Sequence, residues 1–426
     1  MKFYIETYGC QMNVADSELV TSILIKAGHE NCVLIDDADL ILFNTCSVRA
    51  HAEDRVLGRI SNELHRKRIK PHLKLGVLGC MAQRIGEKLK SENLGIDYVI
   101  GVDHYDMIPE LIENNADIDV LGFDSSQVYS NFQPTHQSDT CGFITIMRGC
   151  NNFCSYCIVP HVRGRERSRA WQDVLIDARI AADKGLKDIT LLGQNVNSYF
   201  DGDVNFPKLL KLINEVEGIE RIRYITSHPK DLSGELISVI ASCDKICEHI
   251  HLPLQSGSNR ILELMNRGYT LEHYSKKVDE LRKAIPDISI TTDLIVGFPS
   301  ESEAEYQATL KAVKDIDFDY AFCFKYSSRE GTEAASFDNH IDESLRLSRL
   351  QQLIELQRDI TLKKFKAKIG TEVEVYVENL SRKSNNMVSG KTRDYKIAVL
   401  GGSQADIGKL KIAKVIDASS GTLICG

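Results

Sequence analysis

Short apolar runs alternate with amphipathic stretches over the first 130 residues of the chain. The apolar runs Lys2 to Thr7, Leu40 to Asn44 and Lys74 to Leu78 predict strands. The helical spacing from Asp16 to Ala27, followed by Gly28, predicts a helix. Strands that alternate with helices are typical of a parallel sheet covered on both faces. Residues 1–130 are therefore predicted to form a doubly wound α/β domain.

The pattern changes after this region. From Asp117 to Thr140 the periodicity fades into polar sequence, and we interpret residues 131–140 as an interdomain linker. Residues 141–365 then contain six strand-helix units, which predict an incomplete (β/α)6 barrel with its reactive groups on loops after the strands. The predicted strands are Gly142 to Met147, Asp188 to Leu192, Ile222 to Thr226, Glu248 to Leu252, Ser289 to Val296 and Tyr320 to Lys325.

A long helix is predicted from Asp342 to Lys366, and short β-rich pieces separated by Gly, Asn and Ser follow it. These pieces predict a small terminal β-barrel over residues 366–426. From Lys366 onward the chain carries ten basic residues against six acidic ones. A local basic excess on a small barrel is the pattern expected of RNA binding.

Composition limits the possible classes of protein. The 426 residues are 43% hydrophobic and 26% charged, which is typical of a globular chain with two or three domains and excludes a disordered one. No segment approaches the roughly 20 apolar residues of a membrane span, so we expect a cytoplasmic protein without membrane contact. Twelve cysteines are too few for a disulfide scaffold of this length and indicate reduced thiols used for metal or redox chemistry.

Three cysteines share one loop, which runs from Arg148 to Cys157. Cys150, Cys154 and Cys157 have the spacing C-x3-C-x2-C and can converge on one point, with one ligand fewer than a closed zinc site or a fully protein-held cubane needs. A 4Fe-4S cluster held this way has an open iron for a small molecule. The alternative is a zinc knuckle completed by His161 or Cys141.

Three further cysteines each follow a predicted strand of the first domain: Cys10, Cys46 and Cys80. The carboxyl ends of parallel strands line one crevice, so residues far apart in sequence can meet there. These thiols could therefore hold a second cluster. The alternative is three structural cysteines, because free cysteine is commonly buried.

Polar residues also follow the predicted barrel strands, where a cofactor would need them. Gln194, Ser227 and Gln255 are the candidates, although ordinary turn chemistry also explains such residues. Four arginines lie within the seven residues 163–169, directly after the cysteine loop. Arg165 and its neighbours could bind a carboxylate or a nucleic-acid backbone, and the alternative is a solvated basic face paired with Glu166.

Three phrases resemble the methylthiotransferases of the radical S-adenosylmethionine superfamily. They are Thr7-Tyr8-Gly9-Cys10-Gln11-Met12-Asn13, Asn44-Thr45-Cys46-Ser47-Val48-Arg49, and Gly149-Cys150 through Cys157-Ile158-Val159-Pro160. The resemblance implies a flavodoxin-like first domain, a central radical S-adenosylmethionine barrel and a TRAM domain. It implies two 4Fe-4S clusters, one on each cysteine triplet, and S-adenosylmethionine as cofactors. Tyr156 lies between the last two cysteines and could pack on the adenine of S-adenosylmethionine, and Arg165 could bind its carboxylate.

Within that family the chain is most similar to the branch that methylthiolates carbon 2 of N6-isopentenyladenosine beside the anticodon of tRNA. One S-adenosylmethionine would serve as methyl donor and a second as radical source, with a reducing electron donor and a sulfur source as further partners. A monomer is expected. Sister enzymes act on N6-threonylcarbamoyladenosine or on an aspartate of a ribosomal protein, and these remain alternatives. A non-catalytic iron-sulfur protein that binds RNA is a further alternative.

Overall fold

The structure is a computed structural model that describes residues 1–47, 50–91, 95–114, 118–130, 132–136, 138, 140–381 and 384–426. Several residues used above lie outside the described residues: Val48 and Arg49 of the second phrase, Asp117, the linker residues Asn131, Gln137 and Asp139, and the basic residues Arg382 and Lys383. No helix of the described part of the chain is long and apolar enough to cross a membrane.

The first part of the chain forms one parallel sheet of six strands, in the order β2-β1-β3-β4-β5-β6. Its strands are β1 (Lys2–Thr7), β2 (Glu30–Asn31), β3 (Leu40–Thr45), β4 (Lys74–Gly79), β5 (Tyr98–Ile100) and β6 (Ile118–Val120). Its helices are α1 (Gln11–Lys26), α2 (Ala50–Ile69), α3 (Cys80–Ser91) and α4 (Ile108–Asn114). Apolar clusters cover both faces of the sheet, as the flavodoxin-like prediction requires. The strand order reverses between β1 and β3, which is where open α/β sheets bind ligands.

Two details of this domain differ from the sequence prediction. Helix α1 begins at Gln11, five residues before the predicted start at Asp16, because its first turns bury polar side chains such as Asn13 and Ser17 that break the apolar pattern. Strand β6 lies where the periodicity fades and no strand was predicted, and it pairs with β5 at the edge of the sheet.

The central part forms two parallel three-stranded half-barrels, β7-β10-β13 and β14-β15-β16, connected by a bridge between Ile222 and Ile246. The six strands are those predicted: three have the predicted ends, and the ends of the other three differ by one or two residues. The strands of this part are β7 (Cys141–Thr145), β8 (Met147–Arg148), β9 (Arg167–Ser168), β10 (Asp188–Leu192), β11 (Phe200–Asp201), β12 (Val204–Asn205), β13 (Arg221–Tyr224), β14 (His249–His251), β15 (Ser289–Val296) and β16 (Tyr320–Lys325). Its helices are α5 (Val159–Arg163), α6 (Trp171–Asp183), α7 (Phe206–Asn214), α8 (Gly234–Ser242), α9 (Asn259–Leu264), α10 (Leu271–Ala284), α11 (Glu303–Ile316) and α12 (Glu343–Ala367).

The barrel strands have two different faces. One face carries aliphatic residues such as Ile189, Ile290 and Leu294, which pack with residues of the surrounding helices in the largest apolar cluster. The alternate residues point to the inside of the barrel and are mostly polar or aromatic. The incomplete barrel therefore has a packed outer layer and an interior lined by groups suited to a ligand.

The last part is a closed five-stranded barrel in the order β17-β18-β19-β21-β20. Its strands are β17 (Glu372–Ser381), β18 (Ser384–Thr392), β19 (Ile397–Gly401), β20 (Leu410–Ala418) and β21 (Leu423–Cys425), of which β21 was not predicted. The domain boundaries proposed from the sequence, at 130, 141 and 366, stay predictions.

This small barrel contacts the amino ends of the central strands. Arg221 and Arg223, in β13, donate to the carbonyls of Lys391 and Thr392 at 2.7 and 2.9 Å. The Tyr395 ring stacks on His249 with the centroids 4.5 Å apart. The cysteine loop follows the carboxyl end of β7, so it lies at the opposite end of the central barrel.

Candidate active site

The thiols of Cys10, Cys46 and Cys80 come together at the point where the strand order reverses. Cys10 precedes α1, Cys46 follows β3, and Cys80 is the first residue of α3. A hydrogen bond with Cys46, aided by the charge of Arg163, lowers the pKa of Cys10 to about 6. Burial raises the pKa of Cys80, while Arg163 hydrogen-bonds to that thiol and opposes the rise.

Two glycines allow the approach of these strand ends. Gly9 and Gly79 directly precede cysteines of the triplet and have φ values of +129° and +90°, which side chains rarely tolerate. A Cβ at Gly9 would overlap the Cβ of Cys46, and one at Gly79 would lie 2.6 Å from the Thr45 carbonyl oxygen. Any side chain at either position would push the strand ends apart.

Two asparagines explain the polar residues beside these cysteines. The Cys10 thiol donates to Asn13 Oδ1 at 3.3 Å, and Asn13 Nδ2 donates to Asn44 Oδ1 and to the Thr45 carbonyl, both at 3.1 Å. Asn44 Nδ2 donates to the Asn13 carbonyl at 2.8 Å. The pair ties α1 to the end of β3 and so fixes Cys10 relative to Cys46.

The second triplet lies on the loop after β7. Gly149 has a φ of +75°, and a Cβ there would overlap the backbone of Arg165, so glycine is required for β8 to pair with β9. Cys150 and Cys154 are buried. Burial and the neighbouring Cys154 raise the pKa of Cys157 to about 12, and burial also raises the pKa of Cys150. The loop thus brings its three thiols into one buried environment.

Arg267 is a site residue that the sequence analysis missed. Its buried guanidinium donates to Cys154 Sγ at 3.2 Å and to the Pro253 carbonyl at 3.1 Å, and its Nη1 lies 3.5 Å from the Tyr156 hydroxyl. It lies after α9, in Met265-Asn266-Arg267, where no motif or periodicity marks it. The arginine provides a fixed positive charge beside the loop and orients Tyr156.

The candidate residues at the strand ends have unsatisfied polar atoms. Within the described residues, Gln194 Oε1, Ser227 Oγ and Gln255 Oε1 are buried and have no hydrogen-bond partner. Asn195 Oδ1 and His228 Nε2, next to two of them, are in the same state, and the sequence analysis did not single these out. Most buried polar atoms in native proteins have a hydrogen-bond partner, so a group of such atoms around one opening can bind a polar molecule. These atoms are therefore suited to a polar ligand such as S-adenosylmethionine.

The four arginines after the loop are not a solvated face, and three of them hold the fold together. Arg163 donates to Asp16 at 2.8 Å, Arg167 to Asp103 at 2.7 Å and Arg169 to Asp177 at 2.7 Å. Arg165 alone of the four is exposed, and its guanidinium lies 4.2 Å from the centroid of the Phe153 ring in the loop. Glu166, the expected partner of the arginines, accepts instead from Ser198 Oγ at 2.8 Å.

The residues proposed for a zinc knuckle are separated by the fold. Cys141 is the first residue of β7, near Thr190 at the amino end of the strand, whereas the loop follows the carboxyl end. His161 is exposed on α5. In the described parts of the chain, no three His, Cys, Asp or Glu side chains are arranged to hold a single metal ion. A 4Fe-4S cluster differs from a single metal ion because it presents separate irons to separate thiolates, which need not converge on one point.

The two triplets belong to parts of the chain that are joined by buried contacts. Met12 and Ala15, close to Cys10 in α1, pack against Leu192 inside the central barrel, with Phe143 and Ile225 beside them. Asp16 is fully buried and accepts from Arg148 at 2.7 Å and from Arg163 at 2.8 Å. The first domain therefore covers the interior of the β7-β10-β13 half-barrel and presents Cys10 to it.

Comparisons with known proteins agree with this three-part architecture. Residues 2–101 match Uncharacterized protein family UPF0004, residues 144–313 the Radical SAM superfamily and residues 366–424 the TRAM domain. Among solved structures, the radical S-adenosylmethionine methyltransferase TsrM from Kitasatospora setae has a TM-score of 0.59 at 15% identity, covering 76% of this chain and 72% of that chain. At that identity the likeness shows the fold alone.

Relatives in sequence are much closer. A tRNA-2-methylthio-N(6)-dimethylallyladenosine synthase of Thermoanaerobacter pseudethanolicus is 46% identical, covering 99% of this chain and 91% of that protein. An enzyme of the same name from Moorella thermoacetica is 45% identical, covering 96% of this chain and 94% of that protein. Identity of this degree over nearly the whole length confirms the family predicted from the cysteine phrases. The chain belongs to the tRNA-2-methylthio-N(6)-dimethylallyladenosine synthase (MiaB) family of radical S-adenosylmethionine methylthiotransferases.

Proposed function

We propose that this protein adds a methylthio group to carbon 2 of N6-isopentenyladenosine next to the anticodon of tRNA. The observation that carries the proposal is the pair of three-thiol sites, one on each side of the buried contact between the first domain and the central barrel. A protein that used clusters only for structure would gain nothing from leaving an iron without a protein ligand at both sites. This arrangement disfavours a non-catalytic iron-sulfur protein.

Each triplet would hold one 4Fe-4S cluster: Cys150, Cys154 and Cys157 in the barrel, and Cys10, Cys46 and Cys80 in the first domain. When bound, the clusters and S-adenosylmethionine supply the electron, the radical, the methyl group and the sulfur that the substitution needs. The unsatisfied atoms of Gln194, Ser227 and Gln255 would bind S-adenosylmethionine, with Tyr156 packed beside it and Arg165 at the open side of the loop.

The chain's own residues position these groups. Arg267 donates a hydrogen bond from its guanidinium to the Cys154 sulfur and so fixes the position of that side chain. Asn13 and Asn44 fix the strand ends that carry Cys10 and Cys46. Met12 and Ala15 pack against Leu192, which holds the first domain against the inside of the central barrel beside Cys10.

We infer that the substrate is bound as a whole RNA and not as a free nucleoside. The terminal barrel lies at the amino ends of the central strands, and β15 alone spans eight residues, roughly 26 Å. Only a large substrate can contact both that barrel and the loop at the other end. A base in a tRNA loop is displaced from its stack at lower cost than a paired base.

The RNA contacts of the terminal barrel involve fewer residues than its basic excess suggests. Five of its ten basic residues form ion pairs: Lys368, Lys391, Arg393, Lys396 and Lys411. Lys396 is buried and also pairs with Asp319 of the central barrel at 3.1 Å. Lys366, Lys409 and Lys414 are exposed and form no ion pair with the described residues, so we propose them as the phosphate contacts.

Replacing Lys366, Lys409 and Lys414 together by Ala should weaken tRNA binding and reduce its salt dependence. Each lost phosphate contact removes about 0.7–0.9 from the slope of log affinity against log salt. The measurement is tRNA affinity between 50 and 200 mM salt, roughly the range over which such contacts are resolved. The matched control replaces Lys211, Lys283 and Lys311, exposed lysines on α7, α10 and α11, and should keep the wild-type slope. An unchanged slope in the first variant would remove these lysines from the interface.

The remaining partners are proposals of the same kind. A reducing protein in the cytoplasm would supply electrons, a separate sulfur source would renew the inserted sulfur, and the enzyme would act as a monomer. The proposed function is tested by incubating cluster-loaded protein with N6-isopentenyl-containing tRNA, S-adenosylmethionine and dithionite, followed by mass spectrometry of the nucleosides. The methylthio derivative is the expected product. Its absence, with product formed instead on threonylcarbamoyl-containing tRNA, would move the chain to the sister group.

A further inference from the structure

The inner face of the β14-β15-β16 half-barrel carries a row of exposed aromatic residues. Tyr320, Phe322 and Phe324 alternate along β16 and are 43%, 44% and 40% exposed. In the parallel register they lie beside Thr291, Asp293 and Ile295 of β15. Thr291 contacts both His249 and His251, which places all of these residues on the inner face. We call Tyr320, Phe322 and Phe324 the aromatic stripe.

The aromatic stripe lies close to the cofactor candidates. The Gln255 N–H donates to the Asp293 carbonyl at 2.9 Å, and the Ser227 N–H donates to the His251 carbonyl at 3.3 Å. Because Asp293 lies opposite Phe322 in the sheet, Gln255 lies next to Phe322 on the side toward the carboxyl ends of the strands. Ser227 follows the end of the neighbouring strand in the same direction. The first domain covers the inner residues Phe143, Leu192 and Ile225 of the other half-barrel. The aromatic stripe is thus the part of the barrel interior that the first domain leaves uncovered. It lies across the barrel from the β7-β10-β13 half-barrel, against which Cys10 packs.

A polar pair adjoins the aromatic stripe. His251 Nε2 lies 3.4 Å from Asp293 Oδ2, and the His251 ring makes an edge contact with Phe322, with the centroids 5.9 Å apart. The Asp293 side chain is 29% exposed, so its carboxylate reaches the open interior. Aromatic faces stack on bases, and a carboxylate beside them accepts a hydrogen bond from an exocyclic amino group.

We propose that the aromatic stripe and Asp293 bind the N6-isopentenyl adenine of the substrate. The inference rests on the proposed function and assigns its specificity: Phe322 and Phe324, with Ile295 beside Phe324, contact the base and the apolar prenyl chain, and Asp293 accepts the N6–H. The substituent of N6-threonylcarbamoyladenosine carries a carboxylate. Asp293 would repel it, and the apolar wall would leave it without a partner.

The test compares anticodon stem-loop RNAs that differ only in the N6 substituent, measured by equilibrium binding to cluster-loaded, full-length protein. Wild-type protein should bind the isopentenyl RNA at least about tenfold more tightly than the unmodified RNA, because the prenyl chain buries several methylene equivalents. Phe322→Ala with Phe324→Ala should weaken the binding of both RNAs, because both present the base, and should reduce this ratio to about one, because only the isopentenyl RNA also loses the prenyl contact. Phe200→Ala removes an aromatic residue that is 62% exposed on the β11-β12 hairpin, and it should keep the wild-type ratio.

The outcomes separate this inference from the proposed function. A wild-type preference that the double variant retains would overturn the assignment of the prenyl group to the aromatic stripe, and so would an equal loss of affinity for both RNAs. Asp293→Asn should raise the affinity for threonylcarbamoyl RNA by about tenfold relative to wild type, because a repulsive charge is removed. If wild-type protein shows no preference and forms no methylthio product, the proposed function fails, and the binding site fails with it.

Discussion

Replacing Cys10, Cys46 and Cys80 together by Ala should abolish the methylthio product while 5'-deoxyadenosine is still formed from S-adenosylmethionine. The three thiols lie at the strand ends of the first sheet, and the barrel loop does not depend on them. The loop is held by Gly149, by the pairing of β8 with β9 and by Arg267 on Cys154. Chromatography of both products under dithionite, with isopentenyl-containing tRNA, measures the separation.

The matched control is the replacement of Cys150, Cys154 and Cys157 by Ala. This variant should form neither 5'-deoxyadenosine nor methylthio product, because the site for radical formation would be lost. Each triple variant should keep about half of the iron of the wild-type protein, since the two sites are independent. Methylthio product from the first variant would contradict the division of labour between the triplets, and 5'-deoxyadenosine from the second would contradict the assignment of the loop.

The sequence predicts most strands of this protein because their apolar residues are consecutive and local. Strands β1, β10, β15 and β16 have the predicted ends, and each is a short continuous run rich in apolar, aromatic or β-branched residues. The cysteine triplets were also predictable. Three cysteines share one short loop, and the other three each follow a strand, so the parallel sheet places them at the same edge. The structure brings Cys10, Cys46 and Cys80 together for that reason.

What could not be predicted depends on contacts between distant parts of the chain. The polar start of α1 is helical because Asp16 and Asn13 find buried partners far away in sequence, in β8 and α5 and at the end of β3. The ion pairs of Arg163 with Asp16 and of Arg167 with Asp103 were not predicted, because these carboxylate partners are distant in sequence. Arg267 had no local signal, and only the fold places it beside Cys154.

Asp16→Asn should have the second large effect, because this carboxylate balances two arginines across the domain contact. Asp16 is fully buried and accepts from Arg148, next to the cysteine loop, and from Arg163, which also hydrogen-bonds to Cys80. Its replacement by a neutral amide would leave two buried guanidinium groups without a counter-charge. Removing one partner of a buried ion pair costs about 3–5 kcal/mol. We expect that loss in the local opening free energy of α1, measured by amide hydrogen exchange, because a multidomain chain does not unfold in a single step.

The variant should also form 5'-deoxyadenosine without a matching amount of methylthio product. A displacement of about 1 Å between reacting groups can cost roughly 100-fold in rate. The methylthio product formed per 5'-deoxyadenosine should therefore fall by up to about 100-fold. Asp177→Asn is the matched control, because Asp177 is equally buried but pairs with Arg169 inside the central barrel at 2.7 Å. It should speed hydrogen exchange in α6 and leave the product ratio unchanged. Equal product ratios in the Asp16 and Asp177 variants would show that the buried contact stabilises the protein without positioning Cys10 and Cys80 against the barrel interior.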